Sequence, residues 1–269
     1  MDHQESPAPE SSTTQTQRAT SRDGGPQQLG DFLPAVCKRI LAMPEPPVES
    51  AEEVAAKLER QRESNRRRAE EALLERIGRR YAGCDLTTFD VGSDESTQKR
   101  TDAMKRCWAF SRNIASHVAD GGNVVICGPP GTGKDHLLVG LLKFAIRCEA
   151  TIEWRNGQEL YRAFRDQIDS DRSEASLVNS FIRADILAIS DPVPPKGNTS
   201  DYAAHMLYQI VDARYRSMKS TWVTANVATK QEASEALSAP IFDRLLDNAF
   251  TLFCNWPSYR QSRKPEWLK

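Results

Sequence analysis

The sequence predicts an α/β fold, a parallel sheet with helices on both faces. Five apolar runs of strand length carry the prediction, at 124–127, 151–154, 186–189, 222–225 and 250–253. Helix-period patterns separate them, at 134–148, 157–168, 202–218, 232–237 and 241–246. Strands alternating with helices imply right-handed βαβ crossovers, hence parallel pairing with helices above and below. The third observation is a glycine-rich segment between the first strand and its helix, at the strand ends where open α/β sheets bind ligands.

Size and composition allow one such domain with extensions. The chain has 269 residues and a mass of 30.1 kDa, with a mean hydropathy of −0.58. Lys plus Arg number 36 and Asp plus Glu 37, a net charge of −1. It is therefore no bulk polycation, and any nucleic-acid contact must come from a local patch. No run approaches the roughly 18 apolar residues of a membrane helix, and residues 1–30 lack the apolar core of a secretory signal. The six cysteines are scattered with no C-x-x-C spacing, which excludes a zinc ribbon and suggests no disulfide framework. A cytoplasmic protein with reduced thiols and no membrane contact is expected.

Three regions are expected along the chain. Residues 1–30 contain no aromatic side chain and almost no Leu, Ile or Val, so they bury too little surface to offset ordering entropy and read as a disordered tail. Residues 31–80 read as a helical extension. A short apolar stretch at 32–41 is closed by Pro44, Pro46 and Pro47, and a long polar helix is expected over 49–80. Ser50 and Glu53 have the spacing of a capping box at its start. The gap in apolar positions around Arg66, Arg67 and Arg68 makes it a solvated spacer or a partner-binding arm rather than a core helix. Residues 81–269 hold the α/β domain. It opens with a lead-in at 87–91 and one helix over 104–119, followed by a turn at 120–123.

The strongest chemical signal is Gly128-Pro129-Pro130-Gly131-Thr132-Gly133-Lys134-Asp135. It fits G-x-x-x-x-G-K, follows a strand and opens a helix, the context this phosphate-binding motif requires. The glycines let the backbone wrap a phosphate closely. Amide N–H groups and the helix N-terminus supply positive potential, and Lys134 reaches the β- and γ-phosphates. Where the motif usually places a Mg²⁺-holding Ser or Thr, this chain has Asp135. Where the third strand usually ends in a Mg²⁺-linked Asp, this chain has Ser190, followed by Asp191. The loop thus gains a carboxylate and the strand gains a hydroxyl. One reading makes the two changes compensate: Asp135 is the carboxylate and Ser190 the hydroxyl of the metal shell, and Asp191 polarises water. The other leaves ATP bound with poor turnover.

Two further positions complete the pattern. Asn226 ends the fourth strand, between the phosphate loop and Asp191, where it can touch a γ-phosphate or the attacking water. Arg244, on a short helix at the domain edge, is placed to project toward a neighbour's γ-phosphate, a role worth about 10³–10⁵ in rate.

From Phe89 to about Arg263 the chain resembles the AAA+ ATPases of the DnaC-type helicase loaders and IstB-type transposition helpers. The residues that carry the likeness are Gly128–His136 with Leu137, the run 207–218, Val223-Thr224-Ala225-Asn226, Asp243-Arg244-Leu245 and Trp256-Pro257-Ser258-Tyr259-Arg260. The resemblance implies a P-loop NTPase (AAA+) without a C-terminal lid domain. Its cofactors would be ATP and Mg²⁺, with the phosphates held by residues 128–136, including His136. Ser190 departs from the family's acidic pair, and Asp135, Ser190 and Asp191 are the expected metal ligands on the compensating reading of the residues rather than on the resemblance. Lys134, Asp191, Asn226 and Arg244 would be the catalytic groups, with Asn226 as sensor 1 and Arg244 as the trans-acting finger. It implies self-association into an ATP-dependent oligomer, a replicative helicase or transposase as partner, and single-stranded DNA contact. Arg155, Arg162, Arg165, Arg260, Arg263 and Lys264 are the cations available for DNA. Tyr161 and Phe164 are either stacking platforms or core.

Overall fold

The computed structural model describes residues 49–168, 173–193 and 200–262. The chain divides into two units, Met1–Val54 and Ala55–Lys269. The expected tail at 1–30, the apolar stretch at 32–41, Pro44, Pro46, Pro47, Arg263 and Lys264 all lie outside the described residues.

In the first unit, Ser50 and Glu53 form the expected capping box. The Glu53 N–H donates to Ser50 Oγ at 3.2 Å, and the Ser50 N–H donates to Glu53 Oε2 at 2.8 Å. These pairs satisfy two of the four donors a helix start leaves open. The helix they open, α1, runs Ala51–Ile77. It stops three residues short of the expected Arg80 because Gly78 takes φ +85°, and Arg79–Tyr81 continue as one 3₁₀ turn. Most of α1 is exposed. From Ala55 on it belongs to the second unit, and its Leu73 and Ile77 are buried in that unit's core. Arg76 reaches Glu153 at 2.6 Å.

The second unit is built on five parallel strands: β1 (Asn123–Cys127), β2 (Ile152–Asn156), β3 (Ile186–Ser190), β4 (Ser220–Ala225) and β5 (Ala249–Phe253). Their order is β2-β3-β4-β1-β5. All five expected strands are present. Side chains alternate between two cores, as strand geometry requires. Val124, Ile126, Ala188 and Trp222 enter one core, where α2 (Thr97–Ser111), α3 (Ile114–Ala119) and α4 (Lys134–Arg147) pack. Val125, Leu187, Ile189 and Val223 enter the other. That face is covered by α5 (Gly157–Ile168), α6 (Glu174–Ile182), α7 (Ser200–Arg216), α8 (Lys230–Leu237) and α9 (Ala239–Leu246).

Three local readings change. The single helix expected over 104–119 is two helices, parted at Arg112 and Asn113, and it starts earlier, at Thr97. The lead-in is a 3₁₀ turn, Leu86–Thr88, closed by an Asp85–Thr88 capping box. Helix α6 has no counterpart in the expected elements. Its N-cap is Ser173, whose Oγ accepts from the Ser176 N–H at 3.3 Å.

The register positions the site. Ser190 lies opposite Thr224, and Cys127 opposite Ala225. The loops after β1, β3 and β4 therefore leave the sheet side by side.

Candidate nucleotide site

The phosphate loop is pinned from outside by the chain's last described segment. Trp256 Nε1 donates to the Thr132 carbonyl at 2.8 Å and the Tyr259 N–H to the Gly131 carbonyl at 2.9 Å. Gly131 has φ +84°, and a Cβ there would overlap Ser258 Oγ. Only glycine meets both demands. Above the loop opens a cavity of about 690 Å³ lined by Arg80, Tyr81, Lys134, Asp135, Asn226 and Arg260, among others. That lies within the usual span for small-molecule sites, about 300–1,000 Å³.

Lys134 is buried. Its Nζ donates to the Pro129 carbonyl at 2.9 Å and to Asn226 Oδ1 at 3.0 Å. Burial pulls its pKa below the ordinary lysine value, while Asp135 and Asp191 pull it back up. Asn226 continues the line. Its Nδ2 donates to Asp191 Oδ2 at 2.7 Å. Asp191 is itself held in the left-handed region, φ +55°, with its N–H donating to the Thr224 carbonyl at 2.8 Å.

Asp135 collects hydroxyls. Its Oδ1 accepts from Ser190 Oγ at 3.0 Å and Thr224 Oγ1 at 2.6 Å, and its Oδ2 from Tyr81 OH at 3.4 Å. Burial and the Asp135 charge raise the Tyr81 pKa. Hard oxygen donors beside a phosphate cradle are the set that suits Mg²⁺.

The other expected residues fall differently. His136 lines the cavity, but its Nε2 is 2.8 Å from the Asp85 carbonyl oxygen and its ring meets Phe89 edge-on. Burial holds its pKa below the usual histidine value. Arg244 lies on its own domain rather than at this cavity, with its guanidinium on Asp212 and Tyr208. Arg155 is paired with Glu153 at 2.5 Å. Tyr161 and Phe164 are core side chains, 4% and 1% exposed, and present no face to a base. Arg162 and Arg165 are exposed on α5. Arg260, although exposed, is among the residues that line the cavity. Sequence reasoning assigned no site role to Arg80, Tyr81, Thr224 or Tyr259. None sits in a spacing motif, although Thr224 and Tyr259 belong to two of the runs that carry the family resemblance.

Known proteins resemble the chain in sequence and fold. Residues 59–266 match the family model described as IstB-like ATP binding protein. The replicative helicase loader DnaC of Buchnera aphidicola subsp. Acyrthosiphon pisum (strain APS) is 27% identical over 184 residues, 67% of this chain and 71% of that protein. DnaC of Buchnera aphidicola subsp. Schizaphis graminum (strain Sg) matches with the same identity and coverage. Among solved structures, a DnaC helicase loader superposes with TM-score 0.56 at 18% identity, over 65% of this chain and 99% of that one. DnaI superposes with TM-score 0.51 at 15% identity, over 67% and 93%. Those two likenesses concern the fold, a P-loop AAA+ sheet. With the family model matching most of the chain, around a cavity built on the phosphate loop, the chain belongs to the IstB-like ATP-binding protein family.

Proposed function

We propose that this chain is an ATP-hydrolysing loader that binds single-stranded DNA and delivers a replicative helicase to it. One observation carries the enzymatic part: the hydrogen-bonded line from Lys134 through Asn226 to Asp191 across the mouth of the phosphate loop. A γ-phosphate entering the loop offers Lys134 a charged acceptor in place of the neutral Pro129 and Asn226 oxygens. An ion pair then replaces contacts between the ammonium and neutral dipoles, and Coulomb attraction between two full charges is the stronger. Asn226 then orients phosphate or water, and Asp191 accepts the water's proton. Asp135, Ser190 and Asp191 would hold a Mg²⁺ ion, which would supply charge neutralisation for phosphoryl transfer. Arg244 of a neighbouring copy completes the pocket, which makes turnover depend on assembly.

The helicase part is supported by the two relatives named replicative helicase loader. Residues 31–80 are the proposed partner-binding arm, on the polar character of α1 and by analogy with such loaders.

Full-length protein mixed with a replicative helicase, single-stranded DNA and ATP is expected to form a complex that co-migrates on a sizing column. ATP hydrolysis should rise when DNA and helicase are present. Failure to retain helicase in any nucleotide state would overturn the loader reading. A second reading is a transposition helper or ATP-sensing scaffold with weak hydrolysis. It is favoured by the IstB-like family model and by the hydroxyl at Ser190. DNA binding that follows ATP, persists with a non-hydrolysable analogue and needs no helicase selects it.

A further inference from the structure

We propose that the cation of this site is held by an exchanged pair, with Asp135 supplying the carboxylate and Ser190 the hydroxyl. This reverses the usual division between phosphate loop and third strand. The inference rests on the ATP-binding reading of the site and deepens it.

The two residues are 55 positions apart in sequence, yet Ser190 Oγ lies 3.0 Å from Asp135 Oδ1. The sheet register sets Ser190 beside Thr224, so both hydroxyls face the second residue of α4. Each hydroxyl gives its hydrogen to Asp135. A donating hydroxyl keeps its lone pairs, which remain free for a cation. Tyr81 adds a third hydroxyl on Oδ2. Among the described residues, Asp135 forms no ion pair with Lys or Arg. Its half-buried carboxylate accepts hydrogen bonds from three neutral O–H groups, and the Lys134 ammonium acts on it through space without an ion-pair contact.

That arrangement has no cation in direct contact with the carboxylate and has hard oxygens to offer one. Among the described residues, no group of three His, Cys, Asp or Glu forms a metal site by itself. A cation here must share its shell with phosphate oxygens, the mode Mg²⁺ prefers with its one or two carboxylates. Exchanging the residues moves the carboxylate by about one hydrogen-bond length and leaves the donor set intact: one carboxylate, one hydroxyl. The two departures from the motif are then a single arrangement.

The test measures Mn²⁺ affinity, by electron paramagnetic resonance, in the complex of full-length protein with a non-hydrolysable ATP analogue. Analogue affinity without metal is measured in parallel. Asp135→Asn keeps shape and removes charge. It should weaken Mn²⁺ by at least about 10-fold, the loss already typical of removing a partner outside the ligand shell, while leaving metal-free analogue binding intact or tighter. Asp135→Ser should lose a similar amount. The reciprocal Asp135→Ser, Ser190→Asp double variant should return to within about threefold of the parent, a strong non-additivity. Unchanged Mn²⁺ affinity in Asp135→Asn, or a double variant no better than Asp135→Ser, overturns the exchange. If the double variant does not fold, Ser190→Ala decides. It should cost less than Asp135→Asn, and an equal or larger cost overturns the assignment. A parent protein that binds no nucleotide would overturn the site reading itself, and the exchange with it.

Discussion

Arg244 is latched to Asp212 within its own subunit. Its Nε and Nη2 both lie 3.0 Å from Asp212 Oδ1. Nη2 also meets Tyr208 OH at 3.1 Å, Nη1 donates to the Pro240 carbonyl at 3.0 Å, and the guanidinium stacks 5.0 Å from the Tyr208 ring centre. All three guanidinium nitrogens are thus engaged, and serving a neighbour's γ-phosphate requires leaving α7.

Arg244→Ala should abolish stimulated ATP hydrolysis while ATP affinity stays within about threefold, because the proposed finger would act on a neighbour's transition state. Mixing it with Lys134→Ala should restore some turnover at mixed interfaces. No recovery at any ratio would argue against action between subunits. Asp212→Asn loosens the latch. A partly exposed ion pair is worth at most about 1 kcal/mol, so turnover at limiting protein concentration should rise by up to about fivefold. A fall would make the contact structural.

Gly157 lets Asp191 sit where it does. A Cβ on Gly157 would overlap the Asp191 carbonyl oxygen. That backbone has little room to yield, because the Asp191 N–H is tied to Thr224. Gly157→Ala should displace Asp191 and lower kcat, with losses near 10²-fold for a shift of about 1 Å. ATP affinity, set by the phosphate loop, should change little. Steady-state kinetics beside calorimetric binding separate the two. Unchanged kcat in a folded variant refutes the role.

Arg214 secures the opposite end of the sheet. It is fully buried, and its guanidinium donates to the carbonyls of Phe181, Ala184, Asp185 and Ser220 and to Thr221 Oγ1. Arg214→Met leaves those acceptors unsatisfied and should cost roughly 3–5 kcal/mol in urea unfolding. If the variant remains folded, its nucleotide affinity should match the parent's, since none of these partners lines the cavity. A loss under 1 kcal/mol, well below that of a typical buried network, would contradict the account.

Asp185 makes part of the stability depend on acid. Burial alone would raise its pKa. The Lys219 ammonium at 2.6 Å and the Thr151 N–H and hydroxyl outweigh burial and bring it down to about 2. A carboxylate depressed on folding contributes fully above its unfolded pKa, about 3.9, and loses that contribution as pH falls through the folded value. With the pair partly exposed and screened, the contribution is about 1 kcal/mol. Asp185→Asn should lower the melting temperature at neutral pH, and the gap to the parent should close between about pH 4 and pH 2. A gap that stays constant through that window would exclude the linkage.

The sequence by itself determined what depends on near neighbours along the chain. Strand and helix periods, the phosphate-loop glycines beside Lys134, and the Ser50–Glu53 cap are local, so the α/β fold and the position of the nucleotide loop could be read directly. The end of α1 at Gly78 and the break at Arg112–Asn113 were less legible, because packing chooses among several sterically allowed stops. Only the tertiary structure decided what Asp135 touches. Ser190 and Thr224 are 55 and 89 positions away, and no sequence period connects such residues. The same holds for Arg244 on Asp212 and for Arg260 beside the cavity. Those meetings are set by strand order and by which helix covers which face, and the energy that fixes them is burial of the two cores on either side of the sheet.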